Sequence, residues 1–240
     1  LWGGADSDWL EGQAGRDTLY GGGGIDKLLL DTAYGALPSG QHEVFHGHFG
    51  NEIASDTPDD NATDILLIEG TDGGDTIRLG QQTYALTASR LAARLAIDYN
   101  GSRLTAEWRD FNDVRDPNGR PLAEQISVSG LGGGDDIQFL AAPVGDLDPL
   151  DVSDLVAWSD DWVGVLDGGP GDDVLRGTQA RDRIDGGFGS DTIYGLGGDD
   201  QLWGDGGPGM GNAGDEDTIY GGQGHDDLLG GQGRNALYAW

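Results

Sequence analysis

A nine-residue frame recurs along this chain, with an Asp or Asn at its sixth position and an aliphatic residue at its eighth. From Gly3 the segments read GGADSDWLE, GQAGRDTLY and GGGGIDKLL. From Gly168 they read GGPGDDVLR, GTQARDRID, GGFGSDTIY and GLGGDDQLW. An eight-residue interruption at 204–211 precedes NAGDEDTIY, GGQGHDDLL and GGQGRNALY. The sixth position holds Asp8, Asp17 and Asp26, then Asp173, Asp182, Asp191, Asp200, Asp217, Asp226 and finally Asn235. The eighth holds only Leu or Ile, as at Leu10, Leu175, Ile193 and Leu237. A phase this strict excludes a folding unit much longer than one turn and one short strand.

Each position has a physical role. Glycines head the frames: Gly3, Gly12, Gly15, Gly21, Gly22 and Gly24 in the first block. In the second they are Gly168, Gly169, Gly171, Gly186, Gly187, Gly189, Gly195, Gly198, Gly221, Gly222, Gly224, Gly230, Gly231 and Gly233. Glycine tolerates positive φ and lets backbone carbonyls converge where a Cβ would intrude. Carbonyls together with a carboxylate make a hard-oxygen cage of the kind Ca²⁺ accepts, whereas Mg²⁺ demands tighter octahedral geometry. Calcium is therefore the expected ion. The tail of the frame is a three-residue strand that turns its aliphatic residue inward and its two neighbours outward.

One buried aliphatic side chain per nine residues makes a thin core. Its burial falls well short of the entropy lost in ordering nine residues of backbone. Ion binding is therefore expected to supply folding free energy, and the metal-free repeats are expected to be largely disordered.

Composition agrees. The 240 residues carry 43 Asp and Glu against 13 Lys and Arg, a formal net charge of −30, so the basic patch that nucleic acid requires is missing. There is no cysteine among them, which excludes disulfides and thiolate metal sites and leaves calcium as the available staple. The longest aliphatic runs, 28–30 and 65–68, are far too short to span a bilayer. The chain starts inside a repeat, without a signal segment, and so reads as a piece of something longer.

The middle contains two degenerate copies of the frame, GTDGGDTIR at 70–78 with Asp75 and GLGGGDDIQ at 130–138 with Asp135. Alternating apolar stretches flank each, so both read as strand, calcium-type turn, strand. The expected class is all-β: a parallel β-helix or β-roll solenoid with calcium-binding Gly/Asp-rich turns, interrupted by longer β-rich coils. Its blocks are 1–29, 30–167 and 168–240. Residues 84–108 fit strands around an Asn100-Gly101 turn, while 87–95 also carries the cap and spacing of a short helix.

The nonapeptides resemble those of the RTX (repeats-in-toxin) proteins of bacteria, over residues 3–29 and 168–238. The resemblance implies a right-handed parallel β-roll whose repeats alternate between two sides, with each ion lying between repeats n and n+2. It also implies type I secretion, folding outside the cell, and a secreted or cell-surface location. Departures lie at the 204–211 insertion and at Asn235, a neutral oxygen where the family has a carboxylate. RTX blocks serve toxins, proteases, lipases, adhesins and surface layers alike, so function must be argued from sites. Expected partners are calcium ions and neighbouring domains or further copies of the protein.

One motif suggests an enzyme. His42, Glu43 and His46 spell H-E-x-x-H, the zincin signature, which needs a helix to bring two histidines onto one zinc. Gly35, Pro38, Gly40, Gly47 and Gly50 crowd the segment against helix, and Phe49 and Glu52 stand where a metzincin would continue with Gly and His. Coincidence, or a minor metal site using His42, His46, His48 and Glu52, explains it more simply. A non-enzymatic, calcium-folded structural or adhesive segment is the leading reading, and an RTX-tailed hydrolase fragment the second.

Overall fold

A computed structural model describes strand segments at 2–4, 9–11, 20–22, 27–31 and 44–45. It then describes residues 65–87, 90–110, 125–150, 152, 162–206 and 211–239. Among these residues every regular element is a strand. The first block supplies β1 (Trp2–Gly4), β2 (Trp9–Glu11), β3 (Tyr20–Gly22) and β4 (Lys27–Asp31). The middle supplies β5 (Val44–Phe45), β6 (Ile65–Thr71), β7 (Thr76–Thr87), β8 (Arg90–Tyr99), β9 (Ser102–Asp110), β10 (Gln125–Leu131) and β11 (Asp136–Phe139). The last block opens with β12 (Gly164–Pro170), β13 (Val174–Arg176), β14 (Asp182–Phe188) and β15 (Thr192–Gly197). It closes with β16 (Gln201–Trp203), β17 (Thr218–Gln223), β18 (Asp227–Leu229) and β19 (Ala236–Tyr238).

From β10 onward, successive strands go alternately to two parallel sheets. One runs β18-β16-β14-β12-β10-β6-β4-β2 and the other β19-β17-β15-β13-β11-β7-β8-β9-β5, while β1 and β3 pair separately. Both degenerate turns of the middle lie within this progression, β6 leading to β7 and β10 to β11. The register holds the aliphatic position in line: Ile137, Leu175, Ile193, Ile219 and Leu237 are successive partners in one sheet. Leu166, Ile184, Leu202 and Leu228 are partners in the other. All but the last of each row are fully buried; Leu237, in the last of the described strands, is 46% exposed.

A hairpin departs from this plan. β7 and β8 pair antiparallel, β8 and β9 likewise, around a turn in which Asn100 and Gly101 both have positive φ. The strand alternative for 84–108 is the one adopted; Arg90–Tyr99 is extended, and the helical spacing of 87–95 is overridden by sheet pairing. Val44 and Phe45, the two central residues of the H-E-x-x-H motif, form a strand paired with β9, so the helix a zincin needs does not pass through them. His42, Glu43, His46 and His48 lie outside the described residues.

Candidate metal centres

The glycine turns stack directly on one another. At the second position of the frame, Gly169, Gly187, Gly222 and Gly231 all have positive φ, and so do the two leucines found there, Leu131 and Leu196. At Gly187 the stacking also forbids a side chain, since a Cβ would stand 2.0 Å from the carbonyl oxygen of Gly169 in the coil below. Backbone carbonyls of adjacent coils are thereby brought close to the sixth-position side chains.

Those side chains form two ladders. In the first, the backbone N–H of each sixth-position Asp donates to Oδ1 of the next: Asp75 to Asp135 at 2.7 Å, Asp135 to Asp173 at 2.7 Å and Asp173 to Asp191 at 2.8 Å. Asp191 donates to Asp217 at 3.0 Å and Asp217 to Asn235 at 2.9 Å. In the second, Gly164 donates to Asp182, Asp182 to Asp200 and Asp200 to Asp226. The two degenerate copies, with Asp75 and Asp135, extend the first ladder.

In five of the described turns the second carboxylate oxygen is left over. Oδ2 of Asp135, Asp173, Asp191, Asp200 and Asp217 is buried without a hydrogen-bond partner. It lies against the first glycine of its own turn, where a Cβ would stand 2.0 Å from it at Gly130 and 2.4 Å at Gly168 and Gly195. Burying a carboxylate oxygen without a partner is costly, and each such oxygen calls for an explanation, an ion being one. Burial, reinforced by neighbouring carboxylates, raises Asp191 to about 8, Asp173 and Asp200 to about 7, and Asp135 and Asp217 to about 6. Carboxylate and carbonyl oxygens are donors of the kind calcium accepts, and any site here draws on backbone carbonyls, since no group of three or more His, Cys, Asp or Glu placed to hold a metal is found among the described residues.

Three turns close themselves with protein donors. The N–H of Thr178 donates to Asp182 Oδ2 at 2.5 Å, while its hydroxyl reaches both carboxylate oxygens. Thr71 does the same for Asp75 Oδ2, and Asp75 Oδ1 accepts from the Tyr99 hydroxyl and the Asn100 amide of the β8–β9 hairpin. At the far end, Asn235 Nδ2 donates to the carbonyls of Gly230 and Gln232. Sequence reasoning grouped Asp75 and Asp182 with the open turns and set Asn235 apart as a departure. The signal for the first two was present: both repeats begin Gly-Thr, at 70–71 and 177–178.

The insertion also sits differently from its expected place. Gly204 stacks on Gly186 as Gly186 stacks on Gly168, and a Cβ on Gly204 would stand 2.3 Å from Asp217 Oδ2. Gly204, not Asn212, therefore takes the first position of that turn, and the extra residues fall between it and Asp217. Asp226 is half-buried at the end of its ladder, and His225 is an exposed turn residue whose N–H donates to Asp199 Oδ1. Gly3, Gly21 and Gly22 lie within β1 and β3, whose register pairs Gly4 with Gly22. Asp8, Asp17, Asp26, Gly12, Gly15 and Gly24 lie outside the described residues.

Stacked glycine turns with one inward carboxylate per turn define a calcium-binding repeat on an all-β scaffold. The family model for the RTX calcium-binding nonapeptide repeat matches in four copies, at residues 1–28, 165–193, 176–209 and 210–237. The chain thus carries RTX repeats, a structural repeat that binds multiple calcium ions and is not itself catalytic. No curated protein matches the chain.

Proposed function

We propose that the chain is a β-roll that folds as its turns load calcium and serves as a structural or adhesive segment of a secreted or cell-surface bacterial protein. The observation that carries this reading is the set of five buried carboxylate oxygens without partners. On this reading Asp135, Asp173, Asp191, Asp200 and Asp217 hold ions between repeat n and repeat n+2, together with turn carbonyls of Gly168, Gly169, Gly171, Gly186, Gly187, Gly189 and their equivalents. The turns of Asp75 and Asn235 close the first ladder, and that of Asp182 one end of the second, without metal. The blocks 1–29, 30–167 and 168–240 act as one calcium-dependent body, exported unfolded through a type I system and docked to neighbouring domains or further copies.

Calcium's part would be to supply the positive charge that the acidic turns lack. The protein's own residues orient the site: the Asp N–H ladder fixes each Oδ1, and glycines keep the carbonyls within reach of Oδ2. Far-UV circular dichroism tests the proposal. Near pH 8 in EGTA the chain should be mostly coil, and millimolar Ca²⁺ should restore β signal cooperatively while equal Mg²⁺ does not. A fully folded chain in EGTA at that pH would refute it.

A further inference from the structure

The residues inserted after Gly204 bring in a carboxylate that the nine-residue frame does not call for. Because Gly204 is the first residue of the turn, Asp205 stands at the second position, where the other open turns carry glycine or leucine. Asp205 is 0% exposed. Its Oδ2 accepts the N–H of Gln232 at 2.6 Å, and its Oδ1 has no partner. Two glycines enclose it: a Cβ on Gly211 would stand 1.8 Å from Oδ1, and one on Gly231 would stand 1.9 Å from Oδ2. Both glycines have positive φ, so the enclosure is set by backbone.

The same turn holds Asp217, 1% exposed, whose Oδ2 is also unpartnered. Asp217 feels the charge of Asp205, Asp215 acts on both, and neither is paired with a Lys or Arg among the described residues. Two buried anionic oxygens facing one turn without a counter-charge are strongly unfavourable in a low-dielectric interior. A hard cation at that point resolves both at once.

We propose that the Gly204–Asp217 turn is a two-carboxylate cation site, with Asp205 and Asp217 as its acidic ligands, and that it is the tightest calcium site among the described turns. The proposal rests on the calcium-loading reading above and deepens it for one turn. Each of the other open turns has one unpaired carboxylate oxygen, from its sixth-position Asp; the remaining unpartnered oxygen, Oδ1 of Asp185, belongs to strand β14. Affinity in oxygen-donor sites rises with the number of charged ligands, so the second carboxylate separates this turn from its neighbours.

Calcium titration of the full chain by calorimetry, with circular dichroism alongside, tests it. Wild type should bind one ion in a leading phase, ahead of the remaining sites. Asp205→Asn removes the charge, and Asp205→Gly installs the residue that neighbouring turns carry at this step. Both variants should lose the leading phase, with affinity for that ion falling on the order of tenfold, and should keep the calcium-induced β signal. A wild-type isotherm without a leading one-ion phase would overturn the proposal, as would variant isotherms that superimpose on wild type. A wild type that binds no calcium at all would instead sink the loading reading itself.

Discussion

The backbone N–H of Asp173 donates to Oδ1 of Asp191 at 2.8 Å, and that bond leaves Asp191 Oδ2 buried with no partner. The pH dependence follows from this arrangement. Burial, then the charges of Asp173, Asp217 and Asp172, raises Asp191 to about 8, and Asp173 and Asp200 reach about 7 for the same first reason. The metal-free fold therefore holds protons that the unfolded chain releases. Its stability rises as pH falls from about 8 toward the ordinary carboxylate value near 3.8, and is lost as pH climbs back through 6 to 8. In EGTA the β signal should be greater at pH 5 than at pH 8. In calcium the order should reverse, because protons compete for the same oxygens. Equal signals at both pH values in EGTA would contradict the burial of these carboxylates.

The ladders rank the sites. Asp191 has a neighbour on either side, Asp173 and Asp217, whereas Asn235 ends its row with an amide already spent on Gly230 and Gln232. Asp191→Ala should remove an ion and weaken its neighbours, lowering calcium affinity on the order of tenfold or more. Asn235→Ala should leave the number of bound ions unchanged and cost about 1 kcal/mol of stability from lost hydrogen bonds. Equal losses of affinity at the two positions would count against the ladder as the unit of binding.

Thr178 gives a gain-of-site prediction. Its N–H and hydroxyl occupy Asp182 Oδ2, the oxygen that is free in the neighbouring turns. Thr178→Gly removes the hydroxyl and restores the residue found at this step in the turns of Asp173 and Asp191. The expected result is one additional calcium ion per chain by calorimetry, with lower stability in EGTA. An unchanged ion count would show that the backbone N–H of residue 178 alone is enough to close the turn.

Much of this was legible because the frame is short and rigid. A slip of one residue would turn Leu175, Ile184, Ile193 and Leu202 out of the core, so their phase fixes the strands, and alternation between two sheets then fixes which Asp follows which. The closure of individual turns was not legible from the frame alone. It depends on whether a hydroxyl at position two reaches a carboxylate four residues on, as with Thr71 and Asp75, or whether a distant hairpin supplies Tyr99. The frame also misplaced the insertion. NAGDEDTIY reads as a complete repeat in sequence, yet its first position is taken by Gly204, because stacking on Gly186 is decided by sheet register and not by chain distance.

The outward ninth position carries a column of rings, as alternation requires. Tyr194 stacks on Tyr220 at 5.0 Å between centroids with planes 5° apart, and Tyr220 stacks on Tyr238 at 4.8 Å and 10°. The Arg176 guanidinium covers the Tyr194 end at 4.3 Å, while Tyr238 at the other end is 44% exposed. Trp203 and Leu229 are partners on the opposite sheet. Each aromatic pair contributes about 0.5–1.5 kcal/mol beyond burial. Tyr220 belongs to two pairs and Tyr238 to one, so Tyr220→Ser should lower the calcium-loaded melting temperature about twice as far as Tyr238→Ser. The rings stack on one another with Arg176 over one end, so their expected role is internal to the fold. Replacing all three tyrosines by Ser should therefore lower the melting temperature and leave the sedimentation coefficient of the loaded chain unchanged. A triple variant that melts like wild type but no longer self-associates would make the column a docking strip between copies instead.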